Sequence, residues 1–155
     1  MIRSATASFL GSHINKIDQK GRVAAPADFR RALEPEKGFF SAPSLEGPFL
    51  ECGGEDWVMR QKALIGTLPP YDEDRLALED HLIGAMRPLF FDAEGRIVLP
   101  EALRAHARLQ ERTLFVGLGD TFVIRAAEGE EERLAASRDR ARAALRKLNF
   151  PKAPQ

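Results

Sequence analysis

The sequence predicts an α+β fold built from two tandem copies of a small module, a β-hairpin followed by a short helix. Three observations carry this: an internal repeat, a turn signature at the same place in each copy, and helical segments flanking the second copy. Asp18-Gln19-Lys20-Gly21-Arg22-Val23-Ala24-Ala25-Pro26 is echoed by Asp92-Ala93-Glu94-Gly95-Arg96-Ile97-Val98-Leu99-Pro100, at an offset of 74 residues and without a gap. The echo continues in Phe29-Arg30 against Leu103-Arg104. It resumes at an offset of 73, where Leu45-Glu46-Gly47-Pro48-Phe49-Leu50 resembles Leu118-Gly119-Asp120-Thr121-Phe122-Val123. Identities held at fixed positions mark a tandem duplication.

Each element has a local reason. Ser12 to Ile17 alternates loosely, contains β-formers and can be a strand. Asp18 suits an Asx-turn, accepting from amides further along, and Gly21 supplies the positive φ of a tight turn. Val23-Ala24-Ala25 then returns as the second strand of the hairpin. Pro26 stands at the first helical position, and Ala27 to Leu33 forms a helix with Phe29 and Leu33 on one face. The second copy follows the same plan: strand Leu89-Phe90-Phe91, strand Ile97-Val98-Leu99, Pro100, and a helix from Glu101 to Arg108. A further hairpin follows each helix, Phe39-Phe40 to Phe49-Leu50 and Thr113–Val116 with Thr121–Ile124. Between the copies, Glu55 to Leu64 and Asp72 to Ile83 read as helices separated by Gly66-Thr67-Leu68-Pro69-Pro70. Glu128 to Leu148 reads as an amphipathic helix, acidic at its start and basic at its end, with Pro151 and Pro154 stopping it. The expected divisions are 1–54 (first repeat), 55–83 (connecting helices), 84–127 (second repeat) and 128–155 (C-terminal helix and tail).

Composition narrows the class. Apolar residues make up 44% of the 155 and charged residues 30%, which suits a globular chain. No apolar run approaches the ~20 residues of a membrane span. The start, Met1 to Thr6, does not read as a secretory signal, and the single Cys52 can form no intrachain disulfide, so a cytoplasmic location is expected. Formal charge is zero, yet it is unevenly spread. Residues 1–31 hold six basic groups against two acidic, and residues 32–80 hold four against eleven. A molecule polarised in this way can offer one face to phosphates.

Lys20-Gly21-Arg22-Val23, Pro26, Phe29-Arg30 and Leu33 resemble the first repeat of the MraZ family of bacterial transcriptional regulators. Asp92, Gly95-Arg96-Ile97, Pro100, Leu103-Arg104 and Val116-Gly117 resemble its second. The resemblance spans roughly residues 9–125 and rests on two D-x-x-x-R turns at this separation. It implies two AbrB-like swapped-hairpin repeats forming one pseudo-symmetric, β-barrel-like domain with peripheral helices. It also implies self-association into a ring, and binding of double-stranded DNA at promoter direct repeats upstream of the cell-division and cell-wall operon, in the cytoplasm and at the nucleoid. The chain departs from the family pattern at Arg125, where an aromatic residue is common, and at Phe90-Phe91, where a polar residue is frequent.

The chemistry of the turns agrees with a nucleic-acid partner. A two-stranded ribbon fits the major groove, and an arginine fork can hold phosphate or read guanine. Lys20, Gly21 and Arg22 form the expected contact, extended by Lys16, Arg30 and Arg31. Arg96 serves either DNA or a neighbouring subunit, because Glu94 replaces Lys20 there. Asp18, Asp92 and Gly95 are expected to hold the turns. The alternative is that Asp18 and Arg22 pair merely to stabilise a hairpin. His13, His81, His106 and Cys52 lack metal-ligand spacing, and neither a phosphate loop nor a nucleophile elbow is present. Hence no catalytic residue, metal or cofactor is expected. A second reading of the same fold is an antitoxin-like module that captures another protein.

Overall fold

The computed structural model describes residues 8–148, so the expected stops Pro151 and Pro154 and the stretch through Thr6 lie outside the described residues. The chain runs β1 (Ser12–Lys16), β2 (Arg22–Ala24), α1 (Ala27–Leu33), β3 (Gly38–Pro43), β4 (Leu50–Gly53), α2 (Glu55–Ile65) and α3 (Glu73–Leu78). A π-helical turn, Glu79–Ile83, extends α3. Then come β5 (Arg87–Phe90), β6 (Arg96–Val98), α4 (Glu101–His106), β7 (Arg112–Gly117), β8 (Phe122–Ala126) and α5 (Glu130–Lys147). The fold is α+β and AbrB-like, as expected.

The duplication is written into the strand order. Six strands form an antiparallel sheet in the order β1-β7-β8-β4-β3-β5. A shift of 74 residues carries β1 onto β5 and β3 onto β7, and a shift of 73 carries β4 onto β8, so the order reads alike from both ends. The centre is the β4–β8 pair, with Leu50 opposite Ile124 and Glu51 opposite Val123. β1 and β5 are the edges of this sheet, so the barrel-like closure is not made by pairing them.

One local expectation is corrected. β2 does not return beside β1 as the second strand of a hairpin. It pairs antiparallel with β6 of the other repeat, in the register Arg22↔Val98, Val23↔Ile97, Ala24↔Arg96. β1 pairs instead with β7, from Ser12↔Val116 to Lys16↔Arg112. A single bridge, Ile17↔Val23, joins β2 to the segment before it. The reason is burial: pairing like with like sets Val23 against Ile97, each 1% exposed, while β1 extends the large sheet. Pro26 and Pro100 also stand one residue earlier than expected, as the residues preceding α1 and α4.

The core joins both repeats. Phe122 lies 4.8 Å from Phe9, 5.0 Å from Phe29 and 5.0 Å from Phe39, ring centre to ring centre. These rings, with Phe115, Leu33, Leu99 and Leu103, form one buried cluster. Phe122→Ala would open its middle and destabilise the fold by about 3–5 kcal/mol. α2 buries Trp57 and Ile65, and its first free amide, Glu55 N–H, is capped by Glu36 Oε1 at 2.9 Å. By contrast α5 buries none of its side chains, so its expected amphipathic face is uncovered in the protomer.

Candidate nucleic-acid interface

The two turns are built on one plan. Asp18 Oδ1 accepts from the Lys20 and Arg22 amides, each at 2.9 Å, and Oδ2 accepts from Arg22 Nε at 2.7 Å. Asp92 repeats this with the Glu94 and Arg96 amides at 2.9 Å each, and with Arg96 Nε at 3.0 Å. These donors hold both carboxyls below the usual aspartate value, the backbone amide of Arg22 or Arg96 contributing most. Asp92 in turn pushes the Arg96 guanidinium above its ordinary value, with Glu94 and Asp18 adding to the effect.

Gly21 has φ +87° and Gly95 φ +78°, in the left-handed region that favours glycine. A second constraint acts on them. A Cβ at Gly21 would come within 2.6 Å of the Leu99 carbonyl oxygen and 3.0 Å of Arg104 Nε, and one at Gly95 within 2.5 Å of Arg30 Nη1. Each turn is thus closed by an arginine from the other repeat's helix. Arg104 Nε donates to Leu99 O at 3.1 Å and its Nη1 to Gln19 O at 3.4 Å, while Arg30 Nε donates to Ala25 O at 3.3 Å. Gly21 O accepts from Leu99 N at 2.8 Å and Gly95 O from Ala25 N at 3.1 Å, completing the exchange between repeats.

The register of β2 on β6 turns two local motifs into one surface. Alternation places Val23 and Ile97 inward, and Arg22, Ala24, Arg96 and Val98 outward. Arg22 and Arg96 are diagonal neighbours on that outer face, with Cα atoms about 7–8 Å apart. The Arg22 and Arg96 side chains keep 41% and 36% of their accessible surface. Each is fastened at Nε by an aspartate, which holds the guanidinium plane against the turn.

The other expected residues fall in two groups. Lys16 and Lys20 are exposed, on β1 and on the first turn. Arg31 is exposed and paired with Asp28. Arg30 is half-buried against the second turn rather than beside the first. Its counterpart Arg104 was not among the residues expected at the site. The repeated Phe29-Arg30 and Leu103-Arg104 pairs were the signal for it, since an arginine kept at the same place in both copies has a common task. Asn15 was also missed; its amide donates to Ala24 O at 2.7 Å, tying β1 to the ribbon. Among the described residues, no group of three or more His, Cys, Asp or Glu side chains could hold a metal ion. Cys52 is buried, and that burial pushes its thiol far above the usual range, leaving it unreactive.

The geometry defines a class: a duplicated swapped-hairpin protein whose two short strands meet in a ribbon with paired Asp–Arg turns. Residues 84–145 match the family model described as "MraZ protein, putative antitoxin-like". The protein named "Transcriptional regulator MraZ" in Xanthobacter autotrophicus is 40% identical over 136 residues, covering 86% of this chain and 87% of that one. Its namesakes in Rickettsia akari and Rickettsia typhi are 36% identical over 131 residues and 40% identical over 118. They cover 83% and 75% of this chain, and 88% and 79% of their own. The chain belongs to the MraZ family.

Proposed function

We propose that the chain is a transcriptional regulator, as its relatives are named, and that it acts by binding double-stranded DNA at promoter direct repeats through the ribbon face. The observation that carries the reading is the diagonal placement of Arg22 and Arg96 on one exposed two-stranded ribbon, with Lys20 beside Arg22. A ribbon of this kind matches the width of the major groove, and a fixed arginine fork suits both phosphate and guanine. Lys16 extends the contact from β1. Arg31 extends it from α1, and Arg30 supports the second turn from the same helix. In this reading the protein is a repressor of the cell-division and cell-wall operon, works in the cytoplasm at the nucleoid, and is not an enzyme.

Self-association into a ring is implied by the family resemblance, and energetics favours a multivalent assembly of that kind. One protomer offers few cations near its first turn, and such modules bind non-specifically with affinities of only ~10⁻⁴ to 10⁻⁶ M. Linking several turns in one assembly raises avidity by roughly 10² to 10⁴. The test is a titration against duplexes carrying one, two or three of the direct repeats upstream of the protein's own operon, and against two repeats with about 5 bp inserted between them, half a helical turn. Binding should strengthen with repeat number and weaken with the insertion. Equal affinity for all four would mean that single chains do the recognising, and absence of binding would remove the DNA reading. The antitoxin-like alternative draws support from α5, whose side chains are unburied in the protomer. It is the reading left if no duplex is bound and a protein co-purifies through that helix.

A further inference from the structure

The two ends of the ribbon are built alike and charged unlike. Under the shift of 74 residues, Asp18 and Arg22 become Asp92 and Arg96, but Lys16 becomes Phe90 and Lys20 becomes Glu94. All four exchanged positions are exposed, Phe90 at 71%. Arg22 pairs with Asp18 alone among the described residues. Arg96 pairs with two carboxylates: Asp92 at Nε, and Glu94, whose Oε2 lies 3.3 Å from Nη2. With Arg104 against the first turn and Arg30 against the second, the first end has a cationic excess, while at the second Asp92 and Glu94 cancel Arg96 and Arg30.

We infer that Glu94 sets the orientation of the protomer on DNA, and tunes its affinity, by occupying Arg96 and placing a carboxylate where the first turn carries a lysine. This rests on the DNA-binding reading above and extends it. A ribbon with a pseudo-two-fold axis and equal ends would lie on a duplex equally well in two opposite directions. Direct repeats have a direction, and protomers that follow them must share it. Glu94 breaks the symmetry: the first end is drawn to phosphate, and the second is held back by its own carboxylates. The exposed charge can act in this way without touching the core, so the fold keeps its symmetry while the surface loses it.

The experiment uses the full chain and a duplex covering the DNA upstream of its own gene. Glu94→Gln and Glu94→Lys are titrated over roughly 50–200 mM salt. Glu94→Lys should bind about 3- to 10-fold more tightly at the low end of that range, and its log–log salt slope should steepen by about 0.9 per newly engaged contact. Glu94→Gln should fall between it and the parent. Orientation is read with an iron chelate tethered at Gln19→Cys or Ala93→Cys; Cys52, 0% exposed, stays unlabelled. In the parent, cleavage from position 19 should lie on one side of each repeat and dominate that from position 93. In Glu94→Lys the two should become comparable. Unchanged affinity and slope in both variants, or symmetric cleavage in the parent, would overturn the inference while leaving the DNA reading intact. A parent that binds no duplex would overturn both. Should Glu94→Lys fail to fold, Glu94→Gln and the parent's cleavage pattern still decide.

Discussion

Arg104 of the second repeat lies against Gly21 of the first, close enough that a Cβ at Gly21 would sit 3.0 Å from Arg104 Nε. The contact is reciprocal, because Arg30 of the first repeat covers Gly95 of the second in the same manner. The helix after each turn therefore supports the turn of the opposite repeat. Arg104→Met keeps the aliphatic stem and removes the donations to Leu99 O and Gln19 O. It should lower stability by about 1–2 kcal/mol, which is about 2–8 °C in Tm for a chain of this size. Arg30→Met should do the same at the other turn. Melts that match the parent would show that these guanidiniums are idle.

Two left-handed glycines separate strain from collision. Gly21 has φ +87° and its Cβ would meet backbone at 2.6 Å, whereas Gly119 has φ +89° with nothing within 4 Å. Gly119→Ala bears the backbone strain alone, about 1 kcal/mol. Gly21→Ala bears that strain and must also push Leu99 O or Arg104 aside, so it should lose at least about 1 kcal/mol more. Gly21→Val and Gly95→Val should be worse still, β-branching being poorly tolerated at positive φ. The measurement is the midpoint of urea unfolding for each variant, and equal midpoints for Gly21→Ala and Gly119→Ala would reject the close packing at the turn.

Acid should loosen the turns first. Asp18 and Asp92 have folded pKa values below their unfolded ones, so the folded state binds fewer protons in that window. Their contribution is complete above the ordinary value of 3.8 and is lost as pH falls through the lower folded values. Glu36 runs the other way: burial raises its carboxyl above 4.5, so its contribution is complete below 4.5 and is lost as pH rises through the folded value. Asp18→Asn should therefore melt below the parent near neutrality, and the gap should close as pH drops under 3.8. Glu36→Gln should change the melting temperature most above 4.5, in the direction of relief from a half-buried charge. A gap for Asp18→Asn that is constant with pH would mean the carboxylate is not what holds the turn.

Much of the fold was legible because its signals are local. Phe29 and Leu33, four apart on α1, are both buried, and the segment Ala27–Leu33 is helical to the residue. The hairpins β3–β4 and β7–β8 follow α1 and α4, as the sequence reading has them. What local reasoning missed is which strand pairs with which. Val23 faces inward equally well beside β1 or beside β6, so periodicity cannot choose between a hairpin and an exchange with the other repeat. The family resemblance could, because a swapped arrangement came with it. At the candidate site, residue type pointed to the turn that Asp18, Gly21 and Arg22 build, while the placing of Arg30 against Gly95 needed the tertiary path of α1. An arginine reads as a cation in sequence whether it meets phosphate or closes over a glycine.

The diagonal neighbours Arg22 and Arg96 give the most direct test of whether the ribbon is one site or two. On separate hairpins, each would contact DNA independently, and the losses from Arg22→Ala and Arg96→Ala would add. On one ribbon, about 7–8 Å apart, they share a groove segment and its counterions. Residues that close couple, by about 0.5–3 kcal/mol in double-mutant cycles. Arg22→Ala should be the more damaging single change, about 1–3 kcal/mol per engaged site, because Arg22 has one carboxylate partner and a lysine beside it. Arg96→Ala should be milder, since Asp92 and Glu94 already offset its charge. The double variant should lose less than the two single losses together, because removing the first arginine already withdraws the ribbon from the groove. Both side chains are on the outer face, so circular dichroism and melting should confirm a folded domain before binding is measured. Strict additivity, with both variants folded, would mean that the two arginines meet DNA separately. The shared ribbon would then be a structural joint between the repeats and not the recognising surface.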